Sequence, residues 1–274
     1  MFGKLLKYDF FLSLKAVSVS YIALFAIFAA EVFSSTLDMT WLTILLGIGL
    51  VFGGGVVLFM SFVSLAKLFH DTMFSAQGYL SFTLPVKTSS LFLSKVLVST
   101  SWTIISGLLL IGTFVMNYLV FKQQTADGFG GSLLEVIQES GVMEMFPSTS
   151  VLIQYAIATA FLMLCSITSF WSFVFFAITV ANTQKLQAHP KFYGIAIFFA
   201  LNAVVNSLSA KITEILPLSI ELGYDKMSLS FSSMTSSEAV FAVGIGGTIF
   251  NVIVAVILIA ITMWVIENKV DIKG

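Results

Sequence analysis

Few residues in this 274-residue chain could do chemistry, and their spacing limits what that chemistry could be. Two carboxylates, Glu31 and Glu238, stand at the ends of long apolar runs, where they could gate a path or touch a substrate. More often a carboxylate in such a place is a solvated boundary residue. His70 and His189 fall in separate polar connections, so they do not form the His-Glu-x-x-His pair that grips zinc, and no apolar run holds two facing carboxylates. The single cysteine, Cys165, is inside an apolar run, which excludes a disulfide within the chain. No Gly-x-x-x-x-Gly-Lys-Ser/Thr phosphate loop occurs, so any ATP that drives this protein has to bind a different chain. The sequence therefore offers no catalytic, metal or cofactor site of its own.

The elements that must position these residues are membrane helices. Hydrophobic residues make up 58% of the chain and charged residues 10%, far too little polar surface to cover a soluble globule. A bilayer crossing needs roughly 20 apolar residues, because every backbone amide must be satisfied inside the helix. Six windows meet that length, at about 16–34, 41–66, 90–121, 150–181, 192–210 and 239–266. The expected fold is a single all-α integral membrane domain spanning 1–274. Nucleic acid is not an expected partner, since the net charge is −1 and the 13 basic residues are all lysine, with no arginine fork for phosphate.

Several local patterns refine this layout. Phe2, Leu5, Leu6, Phe10 and Leu12 alternate with lysines, which predicts an amphipathic elbow helix lying in the interface ahead of the first span. A cleaved signal peptide fits poorly, because the run from Ala16 to Phe33 has full span length. Gly53-Gly-Gly55 suggests close helix approach or a kink, with packing favoured over gating, Gly244, Gly246 and Gly247 stand near the start of the last span, and Asn202 and Asn206, four apart, could hydrogen-bond across helices. Residues 122–149 read as an acidic loop with a capping box at Ser132-Leu-Leu-Glu135. Residues 211–237 read as a second acidic loop, containing Pro217 and a helix that dips partly into the bilayer.

The segment 67–95 differs from the other connections, being apolar enough to lie on a membrane yet punctuated like a loop. Asp71 or Thr72 can cap a short helix over roughly Thr72 to Gln77, Gly78 can end it in a left-handed turn, and Pro85 then resets the chain. Its apolar residues, among them Met73, Phe74, Tyr79 and Leu80, would sink into the lipid interface or enter a partner's groove. Ten of the 13 lysines flank the termini, this segment and the 182–191 loop, whereas only Lys122, Lys211 and Lys226 lie opposite. The positive-inside rule places the ten in the cytoplasm, with both termini.

With Gly78-Tyr-Leu-Ser-Phe-Thr-Leu-Pro-Val86 and Leu93-Ser-Lys95 between the second and third spans, the chain resembles the permease subunits of type-two ABC exporters, as found in low-GC Gram-positive bacteria. The layout covers the whole chain, while only this stretch is motif-like. Related chains often carry an acidic residue before Gly-Tyr-Leu, where this one has Gln77. The resemblance implies a multi-pass subunit of the cell membrane and a second permease, identical or not. It also implies a separate ATP-binding subunit that holds ATP and Mg. Met73, Phe74, Gln77, Gly78, Tyr79 and Leu80 would form the coupling segment, and the cargo would be a hydrophobic or amphipathic peptide, lipid or drug. Two other classes remain: a membrane scaffold or immunity protein that transports nothing, and a secondary carrier for a hydrophobic solute. A carrier needs an ionisable group near mid-membrane, and the span centres have none.

Overall fold

The structure, a computed structural model, describes residues 2–37, 39–75, 87–125, 149–184, 186, 188–222, 227–231 and 241–269. Six helices follow from the six apolar runs: α1 (Phe2–Thr36), α2 (Thr40–Phe74), α3 (Thr88–Thr125), α4 (Thr149–Ala181), α5 (Pro190–Ile215) and α6 (Gly246–Lys269). All six are long and apolar enough to cross a membrane, which makes this a multi-pass membrane protein. A small antiparallel sheet, β1 (Ser219–Leu222), β2 (Met227–Ser230) and β3 (Phe241–Gly244), adds the order β2-β1-β3.

Four expectations change. The N-terminal elbow is not a separate element, since α1 continues unbroken from Phe2. Asp71 and Thr72 do not cap a new helix, because α2 runs on through them to Phe74. Among the described residues of 211–237, helix and strand stand where a loop with a dipping helix is expected. There α5 extends to Ile215, Leu216 before Pro217 takes an extended conformation (φ −121°, ψ 76°), and β1 and β2 follow. The last span begins at Gly246 rather than near Ala239, since Phe241–Gly244 pairs with β1.

The chain divides into two compact units, Met1–Leu68 with Ser101–Met143, and Phe69–Thr100 with Glu144–Gly274. In the first, Trp102 joins α3 to α1: its indole Nε1 donates to Ser13 Oγ at 2.7 Å, and its ring stacks on Phe10 at 4.8 Å. One turn on, Ser106 Oγ donates to the Trp102 carbonyl at 2.9 Å, which leaves Tyr21 to donate to Ser106 at 2.7 Å. Buried hydroxyl and indole groups are paired this way because an unmade hydrogen bond in an apolar interior costs about 1–3 kcal/mol. Gly54 brings α2 close to α3, since a Cβ there would lie 2.8 Å from Leu110 Cδ1. Leu24, Leu50 and Val57 fill the seam between α1 and α2.

In the second unit α4, α5 and α6 pack around Phe173, Val205, Ala255 and Leu258. Gly247 lets α6 approach α5, because a Cβ would meet Ser209 Oγ at 2.7 Å, and Ser209 itself donates to the Gly247 carbonyl at 3.3 Å. Gly247 thus serves the close approach of two helices. Asn202, however, turns back on its own helix and donates to the Phe198 carbonyl at 3.0 Å.

Candidate functional site

Two places in the molecule depart from ordinary helix packing. The first lies where the C-terminal turns of α1 and α3 meet the N-terminal turns of α2. The chain turns from α1 into α2 on a hydroxyl pair, Ser34 Oγ to Thr43 Oγ1 at 2.9 Å, and the Met39 amide reaches back to the Ser34 carbonyl at 3.2 Å. This hairpin sets Glu31 and Gly47 side by side. A Cβ at Gly47 would fall 3.0 Å from Glu31 Oε1 and 2.7 Å from Asn117 Nδ2, so any larger residue there would have to push these polar groups aside.

The result is a cavity of about 270 Å³ lined by Glu31, Thr43 and Asn117 on its polar side and by Ile44, Ile48, Val51 and Phe52 on its apolar side. Glu31 is only 1% exposed. Its Oε2 and the Asn117 Nδ2 are both buried without a hydrogen-bond partner, an acceptor and a donor left open beside one space. Glu31 is therefore not the solvated boundary carboxylate its position near a span end suggests. Glu238, the other carboxylate singled out by position, lies outside the described residues. Asn117 and Gly47 carry no chemical signal in the sequence, because what marks them is a contact between helices.

The second place is the hairpin end of α2 and α3, on the side that carries Lys67, Lys87 and Lys95. Phe69 stacks on Phe175 of α4 with centroids 3.9 Å apart and planes 16° apart. Phe92 of α3 packs edge-on against both rings, at 6.0 and 6.1 Å, and Trp171 tilts against Phe175 at 5.3 Å. Each aromatic pair adds about 0.5–1.5 kcal/mol beyond its area burial. Met73 is fully buried, at 0% exposure, so it belongs to the chain's own packing and has no surface to give a partner. Phe74 is half-buried, resting edge-on against Phe69 at 5.9 Å. His70 Nδ1 lies 3.2 Å from Asp71 Oδ1 on the partly exposed face. Gln77, Gly78, Tyr79 and Leu80 lie outside the described residues, as do the 126–148 region and its expected capping box.

Among the described residues no three His, Cys, Asp or Glu side chains gather as metal ligands. No family model matches the chain, and no curated protein or solved structure matches it either.

Proposed function

We propose that this chain is the permease subunit of an ATP-driven exporter of the plasma membrane, with both termini cytoplasmic and a separate ATP-binding subunit docked on the connection between α2 and α3. A second permease, identical or not, completes the path for a hydrophobic or amphipathic cargo. The observation that carries this reading is the aromatic base under that connection. At 1.5 Å per residue, α2 and α3 are about 52 and 57 Å long, well beyond a hydrocarbon layer of about 30 Å even when tilted. In this reading it is their lysine-bearing ends that project from the bilayer. A projecting hairpin transmits a push only if it is stiff, and the Phe69, Phe92 and Phe175 rings clamp it to α4. Phe74, at the tip of α2, supplies a partly open ring there, while the 76–86 stretch carries the Gly-Tyr-Leu-Ser-Phe-Thr-Leu-Pro sequence that suggests the family.

The nucleotide belongs on the partner, since this chain has no phosphate loop. Affinity purification of the tagged chain from its native membrane tests the proposal. An ATP-binding subunit should copurify and hydrolyse ATP, whereas the chain alone should not. Hydrolysis by the chain alone, or recovery without any ATP-binding subunit, would end this reading. A secondary carrier is the second reading, and the buried Glu31 is what favours it. Transport driven by an ion gradient in vesicles lacking ATP would select it.

A further inference from the structure

We propose that the Glu31 cavity binds the head of a small amine: an ammonium group with N–H donors and an oxygen acceptor a few bonds away, as in an aminoethyl ester or amino alcohol. The site does not depend on the ATP-driven reading, because it lies wholly within the first helical unit.

The two unpartnered groups define the ligand. Glu31 Oε2 needs a donor, and its carboxylate, at 1% exposure, can stay ionised only beside a positive charge. No basic side chain among the described residues pairs with it. Asn117 Nδ2 needs an acceptor beside the same space. A single small head carrying both an N–H cation and a neighbouring oxygen satisfies both. If the amide is turned over, its carbonyl accepts a second N–H from the same ammonium, so the fit holds in either orientation.

Competing occupants fit less well. A bare metal cation prefers several oxygen ligands, and the Thr43 hydroxyl is already engaged with Ser34 Oγ at 2.9 Å and the Met39 carbonyl at 3.2 Å. Water could bridge the two polar groups but would bring no charge to the carboxylate. The rest of the lining is Ile44, Ile48, Val51 and Phe52, of which Ile44, Ile48 and Phe52 are exposed on the outside of the helix pair. Phe52 can offer a ring face to a cation. At about 270 Å³ the space suits a headgroup rather than a drug-sized molecule, which usually needs roughly 300–1,000 Å³. The ammonium chemistry is shared by an ethanolamine phospholipid and by free ethanolamine, and the test separates these sources.

The purified full chain is placed in nanodiscs of phosphatidylcholine, whose quaternary ammonium has no N–H to donate. Phosphatidylethanolamine with a pyrenyl acyl chain is titrated in, and energy transfer from the protein's tryptophans is read. Free ethanolamine is then added as competitor. Saturable binding of the ethanolamine lipid over pyrenyl phosphatidylcholine is expected, with Glu31→Gln weakening it at least tenfold and Asn117→Ala about threefold. Competition by free ethanolamine assigns the site to soluble amines, and lack of competition assigns it to the lipid. The double variant Glu31→Gln with Asn117→Asp, which moves the charge across the cavity, should recover most of the binding. Unchanged binding in Glu31→Gln, no preference over phosphatidylcholine, or no recovery in the double variant would each overturn the assignment.

Discussion

The polar cavity at Glu31 and the aromatic base of the α2–α3 hairpin are built on opposite principles. At the base the large side chains are spent on one another: Phe69, Phe92, Trp171 and Phe175 form one buried cluster of rings, and Met73 is fully buried too. At the cavity one carboxylate oxygen and one amide nitrogen are buried without a hydrogen-bond partner, and a glycine keeps the space beside them open. Saturated apolar packing resists deformation, whereas unpaired buried polarity costs stability and persists where something outside the chain completes it. The contrast assigns rigidity to one region and recognition to the other.

The contrast can be broken most sharply through topology. With Cys165 replaced, Thr36→Cys near the cavity and Ala188→Cys near the lysine-rich connections should differ completely toward an impermeant maleimide, only the first reacting from outside the cell. Reversed labelling would turn the proposed docking side outward.

Next in size is Phe175→Ala, which removes the ring that both Phe69 and Phe92 touch. Truncating a buried phenylalanine costs about 3–5 kcal/mol, to be read as a large fall in the unfolding midpoint in detergent. Little change would mean that the base is not a packed clamp. Glu31→Gln should act with the opposite sign. Removing a buried carboxyl that, without a ligand, must either hold an unpaired charge or take up a proton to stay buried should stabilise the ligand-free chain by about 1–3 kcal/mol, measured in the same unfolding assay. Loss of stability would show that the carboxylate has an internal partner.

The smallest effect is expected within the glycine run. Gly55 faces open space, so Gly55→Ala should be neutral or stabilising by up to about 1 kcal/mol, while Gly54→Ala must displace Leu110 and should fare worse. Equal effects would remove the packing role of Gly54.

The six helices were legible because membrane insertion demands long apolar runs, and those runs dominate the sequence. The sheet was missed although its signal is present. Ser219-Ile-Glu-Leu222 and Met227-Ser-Leu-Ser230 alternate polar and apolar residues at the strand period, just after Pro217 forbids more helix. Glu31 stood out as a charge at the edge of an apolar run. Its companions did not, because Gly47 and Asn117 are common residues whose meaning comes from which helix lies opposite. Met73 misled for the same reason: an apolar residue near a span end reads as an anchor until its burial within the chain is known.

The central claim, that the α2–α3 connection couples this chain to an ATP-binding subunit, is tested most directly by measuring that subunit's affinity for Phe74→Ala and Tyr79→Ala. Anchor rings at an interface centre each contribute about 2 kcal/mol or more, so each variant should bind roughly thirtyfold more weakly and lose ATP-driven transport. Affinity and transport at the unmutated level in both variants would contradict the account and leave the segment as a loop resting on the membrane.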